Sequence, residues 1–148
     1  VADTLASFIR QQARAPTKET PADIRDAFFV LASIKAPRGK TRATVSLRNA
    51  ILPGIPGAEV GLDLSGFDLG GASFENGDLK KAIFAGADLG GTILRGAELE
   101  GAQLGEAKNF ATADVTGATF DSRTTFPTGT APADRGMRLT TETQSNSP

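Results

Sequence analysis

The sequence predicts an all-β solenoid over residues 62–129, and three regularities predict it. A large apolar residue returns at every fifth position, a small residue stands two positions before it, and glycine often follows two positions after it. A period of five differs from the period of about 3.6 for an amphipathic helix and about 2 for a half-buried strand, so it indicates an internal repeat. The large apolar positions, called centres below, are Leu64, Leu69, Phe74, Leu79, Phe84, Leu89, Leu94, Leu99 and Leu104.

Each repeat is expected to form one short side and one turn. Side chains two positions apart in an extended segment lie on one face, so a centre and the small residue before it both face the interior. Ala87 and Leu89 form such a pair, and Asp88 between them points outward. Outward positions are mostly polar, with Ile83 and Ile93 as the exceptions. Glycine two positions after the centre suits a corner that needs unusual backbone dihedrals.

Two stretches carry a resemblance to a known family. Ala87-Asp88-Leu89-Gly90-Gly91 and Ala97-Glu98-Leu99-Glu100-Gly101 resemble the A-(D/N)-L-x-x units of the pentapeptide-repeat family, and the resemblance covers residues 62–121. It implies a right-handed quadrilateral, that is four-sided, β-helix, here of about three to four coils.

With four repeats to a coil, residues twenty positions apart stack in columns. The last three centres, Phe110, Val115 and Phe120, lie one residue out of this register. We therefore expect one extra residue, forming a bulge at a corner, between Glu106 and Asn109.

Residues 1–41 are predicted to form an N-terminal helical cap of two short helices. Leu5, Phe8 and Ile9 share one helical face, and a second apolar stripe runs from Ile24 to Ile34 before Pro37. Residues 42–61, which contain partial repeats and prolines, are expected to form an irregular first coil.

The segments Thr4–Arg10 and Pro21–Ala27 also resemble the segment just before the repeats in actinobacterial pentapeptide-repeat proteins. Such proteins often carry membrane-spanning helices upstream. This resemblance implies, as one alternative, that the chain is a soluble extension of a membrane-anchored protein. The longest apolar run here, Ala27 to Ile34, is far shorter than the ~20 residues a span requires. We expect a cytoplasmic location, with tethering through an upstream segment as the alternative.

The segment from Asp121 to Gly129 resembles the way many family members end their helix, with Phe126 covering the C-terminal end. Residues 130–148 are rich in Thr, Ser, Pro, Asn and Gln, so we predict a flexible tail.

The composition argues against catalysis. Histidine and cysteine are absent, which removes the usual general base, the thiol nucleophile and the common zinc ligands. Tyrosine and tryptophan are also absent, and buried phenylalanines cannot stack on nucleic-acid bases. We predict no catalytic residue, no cofactor and no metal site, and we expect no direct binding to nucleic acid.

Charge is segregated along the chain. Residues 1–60 carry nine basic and five acidic side chains, and residues 61–120 carry four basic and nine acidic ones. Some pentapeptide-repeat proteins imitate the shape and charge of DNA and bind DNA gyrase, so a DNA-mimicking gyrase or topoisomerase modulator is an alternative function. Asp68 and Asp88 are predicted to stack as an acidic ladder on one side.

The favoured interpretation is a non-enzymatic scaffold for protein–protein interaction whose partner the sequence does not identify. The candidate interface is the uncharged side bearing Ile83 and Ala85, or else the C-terminal end near Phe120 and Phe126. An outward isoleucine gains from burial against another surface, either a partner protein or a second copy in a homodimer.

Overall fold

The computed structural model describes residues 2–14, 20–33, 46–52, 55 and 61–141. Two helices come first, α1 (Ala2–Gln12) and α2 (Ala22–Ser33). A coiled region follows, with the short strands β1 (Thr119–Phe120) and β2 (Arg138–Leu139) and the 3-10 helices η1 (Phe110–Thr112) and η2 (Ala133–Arg135). The boundary predicted between residues 41 and 42 lies outside the described residues.

Four parallel ladders join successive coils. Asp68 pairs with Asp88, Gln103 pairs with Thr125 and Thr119 pairs with Arg138. The spacing along a ladder therefore runs from 19 to 22 residues. The first ladder joins Asp63, Ile83, Gln103 and Thr125; the second Ser46, Asp68, Asp88 and Lys108; the third Ile51, Ser73, Ile93 and Asp114; and the fourth Asp78, Glu98, Thr119 and Arg138. About four repeats therefore make one coil.

The centres and the small residues fill the interior. All nine centres from Leu64 to Leu104 are fully buried, and so are the alanines before them. Thr92 occupies one small position, and its hydroxyl donates to the carbonyl oxygen of Leu69 over 2.8 Å. A buried hydroxyl without a partner would destabilise the fold, so this bond lets threonine replace alanine.

Each corner is a four-residue turn closed by one backbone hydrogen bond. The N–H of Ala87, for example, donates to the Phe84 carbonyl over 3.0 Å, and Gly86 at the third position of that turn has φ +68°. A positive φ at this position favours glycine, which has no Cβ. Lys81 and Asn76 occupy the same position in other turns with φ of 60° and 56°.

The register shifts by one residue near η1. Asp88 pairs with Lys108 at a spacing of 20, whereas Ile93 pairs with Asp114 at a spacing of 21. The extra residue is Asn109, which has φ +56° and leads into η1. The bulge predicted between Glu106 and Asn109 thus lies at the end of that interval.

The two helices pack against the N-terminal end of the coiled region. The ring of Phe28 on α2 lies 5.8 Å from the ring of Phe74, and the N–H of Ile51 donates to the Ala13 carbonyl over 2.8 Å. Phe28, Phe74 and Leu62 belong to one continuous apolar core. The helices therefore cover apolar side chains that the first coil would otherwise expose.

The prediction of a flexible tail from residue 130 is wrong for residues 130–141. Strand β2 pairs in parallel with β1, and the N–H of Thr140 donates to the Phe120 carbonyl over 2.7 Å. Met137 is buried at 6% exposure. Composition is misleading here because a single buried methionine and a short backbone pairing hold this segment on the last coil. Residues 142–148 lie outside the described part of the chain.

Truncation of a centre should remove a large share of the stability. Leu89→Ala is expected to lower the free energy of unfolding by about 2 to 5 kcal/mol, because Leu89 is fully buried and the cavity adds to the lost transfer energy. Leu139→Ala is the matched control, since Leu139 is 60% exposed and its loss should cost less than about 0.5 kcal/mol. Urea unfolding measures both, and equal effects would show that the centres do not form the core.

Candidate functional site

Outward aspartates cap the corners of the coil. The carboxylate of Asp68 accepts the N–H of Gly70 over 3.1 Å, and that of Asp88 accepts the N–H of Gly90 over 2.9 Å. Asp63 makes the same bond to its own turn. This is an Asx turn, in which a short acidic side chain satisfies a backbone donor two residues later. Aspartate is therefore favoured at this position for a structural reason.

Asp68 and Asp88 are paired on the second ladder, as the sequence predicts. Each of the two carboxylates also accepts a hydrogen bond from another side chain. Arg48 donates from Nη1 to Oδ1 of Asp68 over 3.2 Å, and Asn109 donates from Nδ2 to Oδ1 of Asp88 over 2.9 Å. The Asn109 bond, with that of the Gly90 N–H, lowers the pKa of Asp88. The two carboxylates line a shallow groove of about 230 Å³ that Lys108 also lines.

Other acidic side chains of the repeats also have basic partners. Arg95 lies 2.7 Å from the carboxylate of Asp114 and 3.9 Å from that of Glu75. The hydrogen bonds from Arg95 and Thr116 lower the pKa of Asp114 to about 2. Lys80 pairs with Glu98 and with Asp78, and its hydrogen bond to Glu98 raises its pKa. Basic side chains are thus interspersed among the acidic ones on the repeat surface.

Within the described residues, no three acidic side chains come together in a way that could hold a metal ion. The second ladder contributes two carboxylates, whereas calcium takes about six to eight oxygen ligands. Because the carboxylates that stack there already accept hydrogen bonds, the geometry favours a structural role for them.

The surface around the first ladder has a different character. We call it the Ile83 face and define it by the first ladder and the adjoining corner residues Ser65, Ala85 and Gly105. Asp63 is its one charged residue. Ile83 is half-buried, while Ala85, Gly105 and Gln103 are exposed. Ile93 lies on the third ladder, two ladders away along the coil, so the two outward isoleucines do not share a surface.

The C-terminal end is already covered by its own side chains. The ring of Phe126 lies 5.4 Å from that of Phe120 and 6.0 Å from that of Phe110. The guanidinium of Arg135 stacks over Phe110 at 4.7 Å and donates to the Ala113 carbonyl. Phe120 and Phe126 are both half-buried, so only part of each side chain is open to a partner.

The buried carboxylate of Asp121 accepts several hydrogen bonds, a role that the repeat pattern does not predict. Its carboxylate accepts the N–H of Gly101 over 2.9 Å and those of Arg123 and Thr124 over 3.0 and 3.1 Å, and its side chain is 4% exposed. It also lies 2.6 Å from the Arg123 guanidinium. Burial raises the pKa of Asp121, but the hydrogen bonds from Arg123, Gly101 and Thr124 outweigh it and bring the pKa to about 2.

Parallel ladders at spacings of 19 to 22 residues define a parallel β-solenoid with a five-residue repeat. A family model described as pentapeptide repeats matches residues 60–96 and 82–121, with eight copies. Residues 60–121 therefore belong to the pentapeptide repeat family. Proteins of this family fold as right-handed quadrilateral β-helices and are generally non-enzymatic.

Two solved structures are similar to the chain. A pentapeptide repeat protein from Nostoc Pcc 7120 is 28% identical, with a TM-score of 0.39, and the match covers 66% of this chain and 78% of that one. A pentapeptide repeat protein from the cyanobacterium Cyanothece 51142 is 24% identical, with a TM-score of 0.35, covering 71% and 67%. No curated protein matches the chain. The similarity of the segments Thr4–Arg10 and Pro21–Ala27 to actinobacterial proteins stays a prediction.

Neither α1 nor α2, the α-helices of the described residues, has the length and apolar character that crossing a membrane requires.

The buried carboxylate makes stability depend on pH in the acid range. Asp121 has a pKa of about 2 in the fold and 3.8 as its ordinary value, so its contribution is fully present above about pH 4 and is lost as the pH falls toward 2. We expect Asp121→Asn to lower stability at pH 7 and to flatten this acid-range loss.

Urea unfolding at pH 7 and at pH 3 measures both effects. Asp134→Asn serves as the control, because Asp134 is exposed in η2. An Asp121→Asn variant with the same stability and the same pH slope as the parent would contradict the assigned role of Asp121.

Proposed function

We propose that the chain is a non-enzymatic scaffold, a right-handed four-sided β-helix that binds a protein partner through the Ile83 face. The observation that carries the proposal is the contrast between this face and the rest of the repeat surface. Ile83 stacks between Asp63 and Gln103, and the corner beside it carries the small exposed residue Ala85. A flat, sparsely charged surface can be desolvated at little cost, and its apolar area returns roughly 25 cal/mol per Å² on burial.

The charge pattern supports a scaffold over a DNA mimic. A protein that mimics the DNA duplex needs an electrostatic potential of one sign along its length. Here Arg48 pairs with Asp68 on the second ladder, Arg95 with Asp114 on the third and Lys80 with Glu98 on the fourth. The aspartates of the repeats also cap turns, so their frequency follows from the fold. A gyrase modulator is therefore the less supported alternative.

The interface is tested by one substitution and a matched control. Ile83→Asp should leave the fold intact, because aspartate is common at outward positions, and should weaken partner binding about tenfold or more by burying an unpaired carboxylate. Ile93→Asp introduces the same side chain at the equivalent outward position on the third ladder, where it also stacks beside an aspartate.

Affinity capture with the parent and both variants as baits provides the measurement. Proteins retained by the parent and by Ile93→Asp but lost with Ile83→Asp would support the Ile83 face. The same retained set for all three baits would place the interface elsewhere. Light scattering of the parent at several concentrations decides whether the partner is a second copy of the chain.

A further inference from the structure

A cleft of about 440 Å³ lies where the end of α1 meets the N-terminal coil. It is lined by Arg10, Arg14, Arg48 and Asn49. Three guanidinium groups thus line one concave space. The cleft is in the size range of small-molecule sites, which is about 300 to 1,000 Å³.

Each of the three guanidinium groups makes one hydrogen bond within the described residues. Arg10 donates from Nη1 to the Ser46 carbonyl, and Arg14 donates from Nε to the Arg10 carbonyl over 2.9 Å. Arg48 donates from Nη1 to the carboxylate of Asp68 over 3.2 Å. A guanidinium has about five N–H donors, so these bonds fix each group and leave most of its donors unused by the described residues.

Among the described residues, Arg48 alone of the three guanidinium groups has a carboxylate partner, Asp68. The described lining of the cleft therefore carries three positive charges and the side-chain amide of Asn49. Guanidinium forks match planar or tetrahedral oxyanions, and they bind phosphate more selectively than an ammonium group does.

We propose that this cleft binds the phosphoryl group of a phosphate monoester. A tetrahedral dianion presents three oxygens that three guanidinium groups can share, whereas a carboxylate presents two oxygens and one charge. The bound group would link α1 to the coil at Ser46–Asn49 and so strengthen the contact between them. The site is independent of the protein partner proposed for the Ile83 face.

Arg14→Gln is the best variant for a test. Arg14 is exposed and lies two residues after the end of α1, and its side chain bonds to the Arg10 carbonyl of that helix. Its replacement therefore breaks none of the hydrogen bonds that join α1 to the coil within the described residues. Arg138→Gln is the matched control, because it removes the same charge from an exposed position on β2. Arg48→Lys is a second variant that keeps the charge and loses the fork.

The experiment is an NMR titration of the full chain with inorganic phosphate and with glycerol 3-phosphate, at constant ionic strength because exposed charges are screened by salt. We expect saturable binding of one anion, with shifts centred on the end of α1 and residues 46–52. Arg14→Gln should weaken binding about tenfold, as expected for a lost charged hydrogen bond, and Arg48→Lys should also weaken it. Arg138→Gln should change it less than about twofold.

Shifts that grow without saturation, or equal weakening by Arg14→Gln and Arg138→Gln, would overturn the site, since both indicate unspecific attraction. Vesicles of phosphatidylcholine with and without phosphatidic acid distinguish the source of the phosphoryl group. Binding of glycerol 3-phosphate without retention on vesicles assigns it to a soluble molecule. Retention that depends on phosphatidic acid and on Arg14 assigns it to a lipid headgroup.

Discussion

Hydrogen bonding between successive coils is the interaction on which the structure depends. A five-residue repeat has no hydrogen-bonded element of its own beyond one turn, and it buries one large side chain. The donors at its outward position and its centre are satisfied by the neighbouring coils: the N–H of Asp88 donates to the Phe67 carbonyl on one side, and the N–H of Leu89 donates to the Lys108 carbonyl on the other. Each coil is therefore stable because its neighbours are present, as in other repeat architectures.

This dependence explains why both ends of the solenoid are covered. The first and last coils each have one side without a neighbouring coil, which leaves apolar side chains and backbone groups to be covered. Phe28 of α2 covers the N-terminal side, and β2 extends the fourth ladder at the C-terminal side. Residues 131–141 thus cover the C-terminal end as the helices cover the N-terminal end.

Periodic features of this chain could be predicted from the sequence, and features made by single residues could not. The centres could be predicted because nine positions follow the same rule. The stacking of Asp68 on Asp88 and the presence of two helices could be predicted as well. The burial of Met137 could not be predicted, because no repeated pattern includes this residue. The low-complexity composition after residue 130 conceals the backbone pairing of β2, which depends on position and little on side-chain type.

The candidate sites show the same division. The outward position of Ile83 follows from the repeat, but the pairing of Arg48 with Asp68 joins a residue before the regular repeats to one within them. The arginine cleft likewise joins Arg10 and Arg14 to Arg48 across a gap in sequence that no motif spans. The hydrogen bonds by which the aspartates cap the turns could have been predicted from the sequence, because an acidic residue two positions before a turn N–H indicates an Asx turn.

Residue-resolved amide hydrogen exchange tests the ladder most directly. The N–H of Leu89 donates to Lys108 on the next coil, whereas the N–H of Ala85, four residues earlier in the same coil, has no partner within the described residues. Exchange at Leu89 should be limited by opening of the coil stack and be slower than at Ala85 by several orders of magnitude, with Thr140 on the last coil between them. Exchange at Leu89 as fast as at Ala85 would contradict the coil-to-coil hydrogen bonding on which the structure depends.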